Sequence, residues 1–200
     1  MKKWIIGIDE VGRGPLAGPV YVCAVAMHFD DYKKMKWYRE GFLLTDSKKM
    51  TSVARVLWEV EASKLSKIKK TKMAIASRSA GVIDKKGISK CINECVRSVL
   101  RQLALDSKQC KVFLDGGLKA PAEYKDQQTV ISGDTVHKII SLASVVAKVR
   151  RDELMTKLHK KFPKYRWLEN KGYGTAVHLK VLKDKGPSPL HRKSFISKVI

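Results

Sequence analysis

Cysteine is scarce in this chain of 200 residues: Cys23, Cys91, Cys95 and Cys110 form no CxxC pair and lie at no zinc-ligand spacing from the five histidines. That spacing argues against a disulfide framework and a structural zinc site, and the four thiols are expected to be reduced and buried. Long apolar runs are also missing. The run after Lys2 and Lys3 extends only from Trp4 to Ile8 before Asp9 interrupts it, too short for the core of a signal peptide. No stretch approaches the ~18 residues of a spanning helix, so a soluble, cytoplasmic protein without a membrane role is expected. Six prolines and 13 glycines are too few for a collagen-like or low-complexity chain. Acidic residues are in short supply: 19 Asp plus Glu stand against 41 Lys plus Arg, for a net charge of +22. Residues 1–100 carry 20 basic and 10 acidic side chains and residues 101–200 carry 21 and 9, so no single tail holds the surplus. A broad surface facing a polyanion is implied, with nucleic acid the first candidate and an anionic membrane surface the second. Adaptation to heat or to a crowded cytoplasm is the other explanation of such a charge.

The remaining composition, 44% hydrophobic and 30% charged, is that of a globular chain long enough to bury its own core, and one domain over residues 1–200 is expected. Trp4 to Asp9 and Val20 to Met27 read as neighbouring strands separated by the loop GRGPLAGP. Asp46 or Ser47 can cap a helix running to about Leu65, followed by a strand over Lys67 to Ser77. Ile88, Cys91, Ile92, Cys95, Val99 and Leu103 recur at helical spacing and predict a helix over Ile88 to Leu105. A strand VFLD, an apolar run Gln128 to Ile131 and a helix from Ile139 to about Leu158 follow; Ser141, Ala143, Ser144 and Ala147 permit close packing of that helix. The pattern is mixed α/β.

Three apolar runs end in acid beside glycine. IIGIDEVG places Asp9 and Glu10, VFLDGG places Asp115, and VISGDTV places Asp134. A turn or a helix cap accounts for any one such acid, and Asp134 could cap the helix that follows it. Three together suggest strand ends converging on one site, because a carboxylate closing a buried strand is costly unless a cation or donor compensates. Oxygen ligands without His or Cys select Mg²⁺ or Mn²⁺ rather than zinc. In a basic protein, such a cluster suits two metal ions held against a phosphodiester.

The segment DEVGRGPLAGPV closely resembles ribonuclease HII, the bacterial type 2 ribonuclease H family. The resemblance continues through TDSKK (Thr45 to Lys49), GISKCIN (Gly87 to Asn93), FLDGG (Phe113 to Gly117), SGDTVHKIISLASVVAKVRRD (Ser132 to Asp152) and KGYGTAVHLKVLKDKGPSPLHRKSF (Lys171 to Phe195), nearly the whole chain in family order. It implies a ribonuclease H-like fold, a central mixed sheet flanked by helices, with a helical C-terminal portion over about 160–200 completing the substrate groove. By the same resemblance Asp9, Glu10, Asp115 and Asp134 bind two Mg²⁺ or Mn²⁺ ions. The implied reaction hydrolyses the RNA strand of an RNA/DNA hybrid, or cuts 5′ of a ribonucleotide embedded in duplex DNA, leaving 3′-hydroxyl and 5′-phosphate ends. Gly12, Arg13 and Gly14 match the element that reads the 2′-hydroxyl, Arg13 being suited to hold a phosphate through its planar fork. Tyr173 matches a tyrosine that stacks at the ribonucleotide junction, and Lys48 a position near the substrate backbone.

Asp152 is expected in a structural ion pair rather than on a metal, and His178, His191 and Arg192 in packing or phosphate contact. Two departures from the family pattern stand out: Leu142, where alanine is favoured, and the extra glycine Gly117. A sister type, ribonuclease HIII, has Gly-Lys-Gly where Arg13 stands here. A monomer without an obligate protein partner is expected. The rival functions are a non-catalytic basic nucleic-acid-binding protein and another nuclease of the same superfamily.

Overall fold

Trp4–Val11 (β1) and Val20–His28 (β2) are apolar runs that pair antiparallel, Trp4 opposite His28 and Val11 opposite Tyr21, as expected from their adjacency. The computed structural model describes residues 3–197, so the first two and the last three residues of the expected domain, Lys2 among them, lie outside the described residues. After β2 come a short helix α1 (Phe29–Lys34) and a small hairpin, β3 (Tyr38–Arg39) and β4 (Phe42–Leu43). Helix α2 (Ser52–Lys67) leads to β5 (Thr71–Arg78), α3 (Ala80–Lys86) and α4 (Ile88–Leu103). Then follow β6 (Cys110–Asp115), β7 (Gln127–Val130), the single turn α5 (Gly133–Val136) and the long α6 (Lys138–Lys161). The C-terminal part is helical, with α7 (Trp167–Asn170), α8 (Ala176–Lys185) and α9 (Lys193–Ile196).

The sheet runs β5-β2-β1-β6-β7, with β6 parallel to β1 and to β7 and the other pairs antiparallel. The apolar stripe of α4, including Cys91, Cys95, Val96 and Val99, packs on one face against Ile6, Ile8, Val22 and Ala24. On the other face α2 and α6 bring Trp58, Ala54, Ile139, Ala143 and Val146 against Ile5, Cys23 and Val25. Gly7 permits the second layer to close. A Cβ there would overlap the Ile139 carbonyl and lie 2.6 Å from the Ile140 amide, so α6 starts directly on β1. All four cysteines are buried, and Leu142 fills a fully buried core position. Among the described residues no helix is long and apolar enough to cross a membrane.

Three boundaries differ from expectation for physical reasons. Helix α2 begins five residues beyond Ser47 because Thr51, whose hydroxyl accepts from the Ala54 amide, is its cap. Asp46 and Ser47 are engaged elsewhere: Asp46 Oδ1 accepts from the Lys48 amide at 2.8 Å, and Ser47 Oγ lies 2.9 Å from Ser144 Oγ. The extra turn of α2 carries it through Lys67, which delays β5 to Thr71. Helix α4 stops at Leu103 because Ala104 turns into the left-handed region at φ 51°.

The C-terminal helices surround a third cluster, in which Leu16 and Ala17 pack with Met155, Tyr165, Trp167 and Leu182. His178 and His191 are buried there, Nε2 to Nε2 at 3.0 Å, with His178 Nδ1 2.8 Å from the Tyr173 carbonyl and Ser188 against His191 Nδ1. They serve in packing, one of the two roles expected for them. Burial, with His178 and Lys164 nearby, lowers His191 to about 4. An unfolded histidine titrates near 6.5, so below that pH the unfolded chain binds the extra proton; the stability is complete above 6.5 and is lost as pH falls toward 4. At pH 5 this amounts to up to about 2 kcal/mol. Buried carboxylates titrate with the opposite sign, so the expected result is comparative. Between pH 7 and 5 the thermal midpoint of the native chain falls relative to that of His191→Phe, and parallel midpoints would show that the imidazole protonates freely.

Candidate active site

Parallel pairing of β1 with β6 continues to Ile8 opposite Leu114, so the next residues on the two strands, Asp9 and Asp115, emerge side by side. Alternation along β1 directs Asp9 with Ile5 and Gly7 toward α6. Glu10 follows at the strand's end, and Arg13 Nη1 reaches its Oε1 at 3.2 Å. Asp115 Oδ1 accepts from the Gly133 amide at 2.6 Å, which ties the end of β6 to the first residue of α5. Asp134, next in that turn, is buried beneath.

Asp134 therefore does not close a strand, as its sequence context suggests: β7 ends at Val130, Ser132 turns left-handed at φ 53°, and Gly133 begins a one-turn helix. Capture of the Gly133 amide by Asp115 accounts for that turn. The Asp134 carboxyl lies near those of Asp46 and Asp115.

Asp9, Glu10 and Asp115 line a cleft of about 640 Å³ together with Gly12, Arg13, Lys48, Tyr173, Ser47, Arg55, Ser144 and Lys148. Asp134 is not on its wall, and a Cβ at Gly14 would face open space. Lys48 sits in the Asp46–Lys49 turn, ahead of the start of α2 at Ser52. Asp152 is in an ion pair as expected, with its partner Lys148 one turn back at 2.8 Å. Tyr173 is 41% exposed and its ring faces the Arg151 guanidinium at 5.9 Å. Gly117 lies in a turn where a side chain would meet nothing within 4 Å.

The electrostatics of the cleft are unbalanced. Asp9 is 6% exposed, and burial, with Asp115 and Glu10 beside it, pushes its carboxyl up to about 8 against the opposing Ser144 hydrogen bond. Burial also raises Glu10, although Arg13 partly offsets it. Asp134 rises to about 6 through burial and the neighbouring Asp46 and Asp115. Glu10 Oε2 is buried without a hydrogen-bond partner. An unpartnered carboxylate oxygen among desolvated carboxylates, with no imidazole or thiol on the cleft wall, fits a hard divalent cation. Among the described residues no three acidic, His or Cys side chains form a ready-made cage.

Several lining residues escaped the sequence reading. Arg55 donates to the Ser47 carbonyl at 2.9 Å and to that of Met50, fastening the turn that carries Lys48. Lys148 had a local signal, its i,i+4 spacing from Asp152. Arg55 had none, since charge pattern does not separate an arginine tied to backbone carbonyls from a solvated one.

The family model described as Ribonuclease HII matches residues 6–198. The chain belongs to the ribonuclease HII family. It is accordingly a ribonuclease H hydrolase, a nuclease. Ribonuclease HII of Clostridium perfringens (strain ATCC 13124) is 37% identical over 198 residues, covering 99% of this chain and 68% of that protein. The ribonuclease H2 of Pyrococcus horikoshii OT3 superposes with a TM-score of 0.71 at 21% identity, covering 98% of this chain and 96% of that one. A ribonuclease HIII, Bst-RNase HIII in complex with Mn²⁺, gives a TM-score of 0.69 at 16% identity, covering 96% and 67%. These structures share the α/β ribonuclease H-like fold anticipated from the ribonuclease HII motifs.

Proposed function

We propose that the cleft hydrolyses the RNA strand of RNA/DNA hybrids and cuts 5′ of single ribonucleotides in duplex DNA, leaving 3′-hydroxyl and 5′-phosphate ends. The observation that carries this reading is the meeting of Asp9, Glu10 and Asp115 at adjacent strand ends, with Glu10 Oε2 unpartnered, in a chain of net charge +22. Asp9, Glu10, Asp115 and Asp134 would hold two Mg²⁺ or Mn²⁺ ions, which supply an activated water and stabilise the leaving oxygen. The Mn²⁺ bound by the ribonuclease HIII neighbour supports a divalent ion of this kind.

The Ser144 hydroxyl, paired with Ser47 at 2.9 Å, favours the ionised form of Asp9. Lys48, Arg55 and Lys148, on the same wall, attract the phosphate backbone. Arg13 is 3.2 Å from Glu10 and exposed enough to exchange that partner for a substrate phosphate. Gly12 and Gly14 let backbone donors approach the 2′-hydroxyl, and the half-exposed ring of Tyr173 offers a face for the junction nucleotide. On this reading residues 1–200 act as one domain, a cytoplasmic monomer without an obligate protein partner, and the segment from about 160 to 200 contributes the groove wall that bears Tyr173.

Three matched, labelled duplexes test the proposal: one with a single ribonucleotide, one RNA/DNA hybrid and one all-DNA, each with Mg²⁺, Mn²⁺ or EDTA. Metal-dependent cleavage 5′ of the ribonucleotide, absent from all-DNA, is expected. Cleavage of the long hybrid alone would remove the 2′-hydroxyl roles of Gly12, Arg13, Gly14 and Tyr173. Asp115→Asn separates catalysis from binding: cleavage is expected to disappear while the variant still folds and binds duplex. Absence of cleavage by the native folded chain would favour a binding module.

A further inference from the structure

The loop that connects β1 to β2 is held from behind by two arginines with no exposed surface. Arg192 Nη2 donates to the Gly12 carbonyl at 2.6 Å, Nη1 to that of Arg13 at 2.8 Å and Nε to that of Gly18 at 3.0 Å. Arg151 Nε donates to the Pro19 carbonyl at 3.1 Å, Nη2 to that of Ala17 at 3.2 Å and Nη1 to that of Lys171 at 2.9 Å. Both are 0% exposed, and neither side chain forms an ion pair among the described residues. Burial disfavours the charge of each, and Arg151 adds to the cost at Arg192. Two adjacent buried guanidiniums without carboxylates are an expensive way to hold a loop that apolar packing could hold. A requirement for oriented carbonyls explains the arrangement, because only the planar fork of arginine can take several acceptors in fixed directions.

The orientation has a consequence on the opposite side of each peptide. A trans peptide is planar, with the carbonyl of one residue antiparallel to the amide of the next, and the described residues contain no cis bond. Turning the Gly12 and Arg13 carbonyls inward therefore turns the Arg13 and Gly14 amides outward. Among the described residues neither amide donates to another backbone group. Gly12 leaves room for the second arginine: its φ is +84°, and a Cβ there would overlap the Arg151 side chain. Arg151 also faces the Tyr173 ring, while the Gly172 carbonyl accepts from the Leu16 and Ala17 amides. Arg151 thus fastens the loop to the tyrosine segment, and Arg192 holds the Gly12–Arg13 end of the same loop.

We infer that Arg151 and Arg192 are positioning residues for ribonucleotide specificity: Arg192, by drawing the Gly12 and Arg13 carbonyls inward, aims the Arg13 and Gly14 amides at the 2′-hydroxyl, and Arg151, by holding the Ala17, Pro19 and Lys171 carbonyls, sets that loop against Tyr173. This rests on the proposed reading of the 2′-hydroxyl. Neither arginine touches substrate. Lysine keeps the charge but reaches fewer carbonyls, so Arg192→Lys and Arg151→Lys loosen the aim without removing the cation.

The test compares binding of the single-ribonucleotide duplex and its all-DNA counterpart in EDTA, and cleavage with Mn²⁺, for the native chain, both lysine variants and the double variant. Each single variant is expected to lower the ribonucleotide-over-DNA binding ratio by about 10- to 100-fold, the cost of a small misplacement of aligned groups. The double variant is expected to lose less than the product of the two, because both act on one loop. Mn²⁺ affinity, measured calorimetrically without nucleic acid, is expected to stay within about twofold because no proposed ligand is altered. Variants that melt earlier but keep the native ratio would make the arginines merely structural and overturn the inference.

Should the variants not fold, the native chain remains informative by amide and guanidinium NMR. The Nε protons of Arg151 and Arg192 are expected to exchange slowly, and the Arg13 and Gly14 amides to shift with the ribonucleotide duplex but not with all-DNA. Freely exchanging guanidiniums, or equal shifts with both duplexes, would overturn it too. A native chain that cleaves the hybrid but shows no preference for the single ribonucleotide identifies failure of the underlying reading instead.

Discussion

Asp9→Asn is expected to abolish cleavage while raising the thermal midpoint of the metal-free chain. The activity loss should exceed about 100-fold, since removal of groups that only support a metal ligand already costs that much. The stability gain comes from burial. Asp9 is 6% exposed and has its carboxyl pushed up to about 8, so at neutral pH the folded state bears the cost of either desolvating a carboxylate or binding a proton. Asparagine keeps the shape and the acceptor that the Glu10 amide reaches at 2.7 Å, and it carries no charge. A gain of about 1–3 kcal/mol is reasonable for relieving a poorly compensated buried polar group. Activity with Mn²⁺ and a melt in EDTA check both halves. A variant that retains most of its cleavage would remove Asp9 from the reaction, and one that melts earlier would show that its charge is already compensated. Opposed changes in stability and activity are expected of a site assembled from mutually repelling groups.

Gly7→Ala is expected to act in the other direction, destabilising the whole chain by about 3 kcal/mol or more, beyond the usual range for one added methyl in a core. The obstacle is backbone: the new Cβ would overlap the Ile139 carbonyl and press on the Ile140 amide at the start of α6. A side chain could rotate away, whereas the first turn of a 24-residue helix must shift as a body. That shift would also move Ser144 away from Asp9 and Ser47, so surviving activity should fall by more than the folded fraction. Chemical denaturation and cleavage at a temperature where the variant is folded measure the two effects. A loss below about 1 kcal/mol would mean that α6 slides along β1 without cost.

Asp9 at the end of an apolar run is visible in the sequence, whereas its burial and the backbone contact at Gly7 come from the fold. Strands β1 and β2, the long helices α4 and α6 and the acids at the ends of β1 and β6 were legible, because hydrophobic periodicity and a charge interrupting an apolar run are local signals. The motifs identified the family and drew attention to Asp134, and the run Gln128 to Ile131 does fold as β7, but it ends at Val130 and is not closed by Asp134. Its turn is explained by a carboxylate 18 residues earlier, Asp115, reaching the Gly133 amide. The start of α2 was misplaced for the same kind of reason: Ser47 is paired with Ser144, 97 residues away, and so the local capping signal was taken.

The sequence by itself determined a basic mixed α/β chain with carboxylates at strand ends and a glycine loop after the first, since each of these follows from neighbouring residues. Only the tertiary structure decided which charges are buried and what they face. Arg151 finds the Pro19 carbonyl 132 residues away and Arg192 the Gly12 carbonyl 180 residues away. A guanidinium in solvent and one holding three carbonyls are the same letter in the sequence, and the difference between them is supplied by chain closure over those distances.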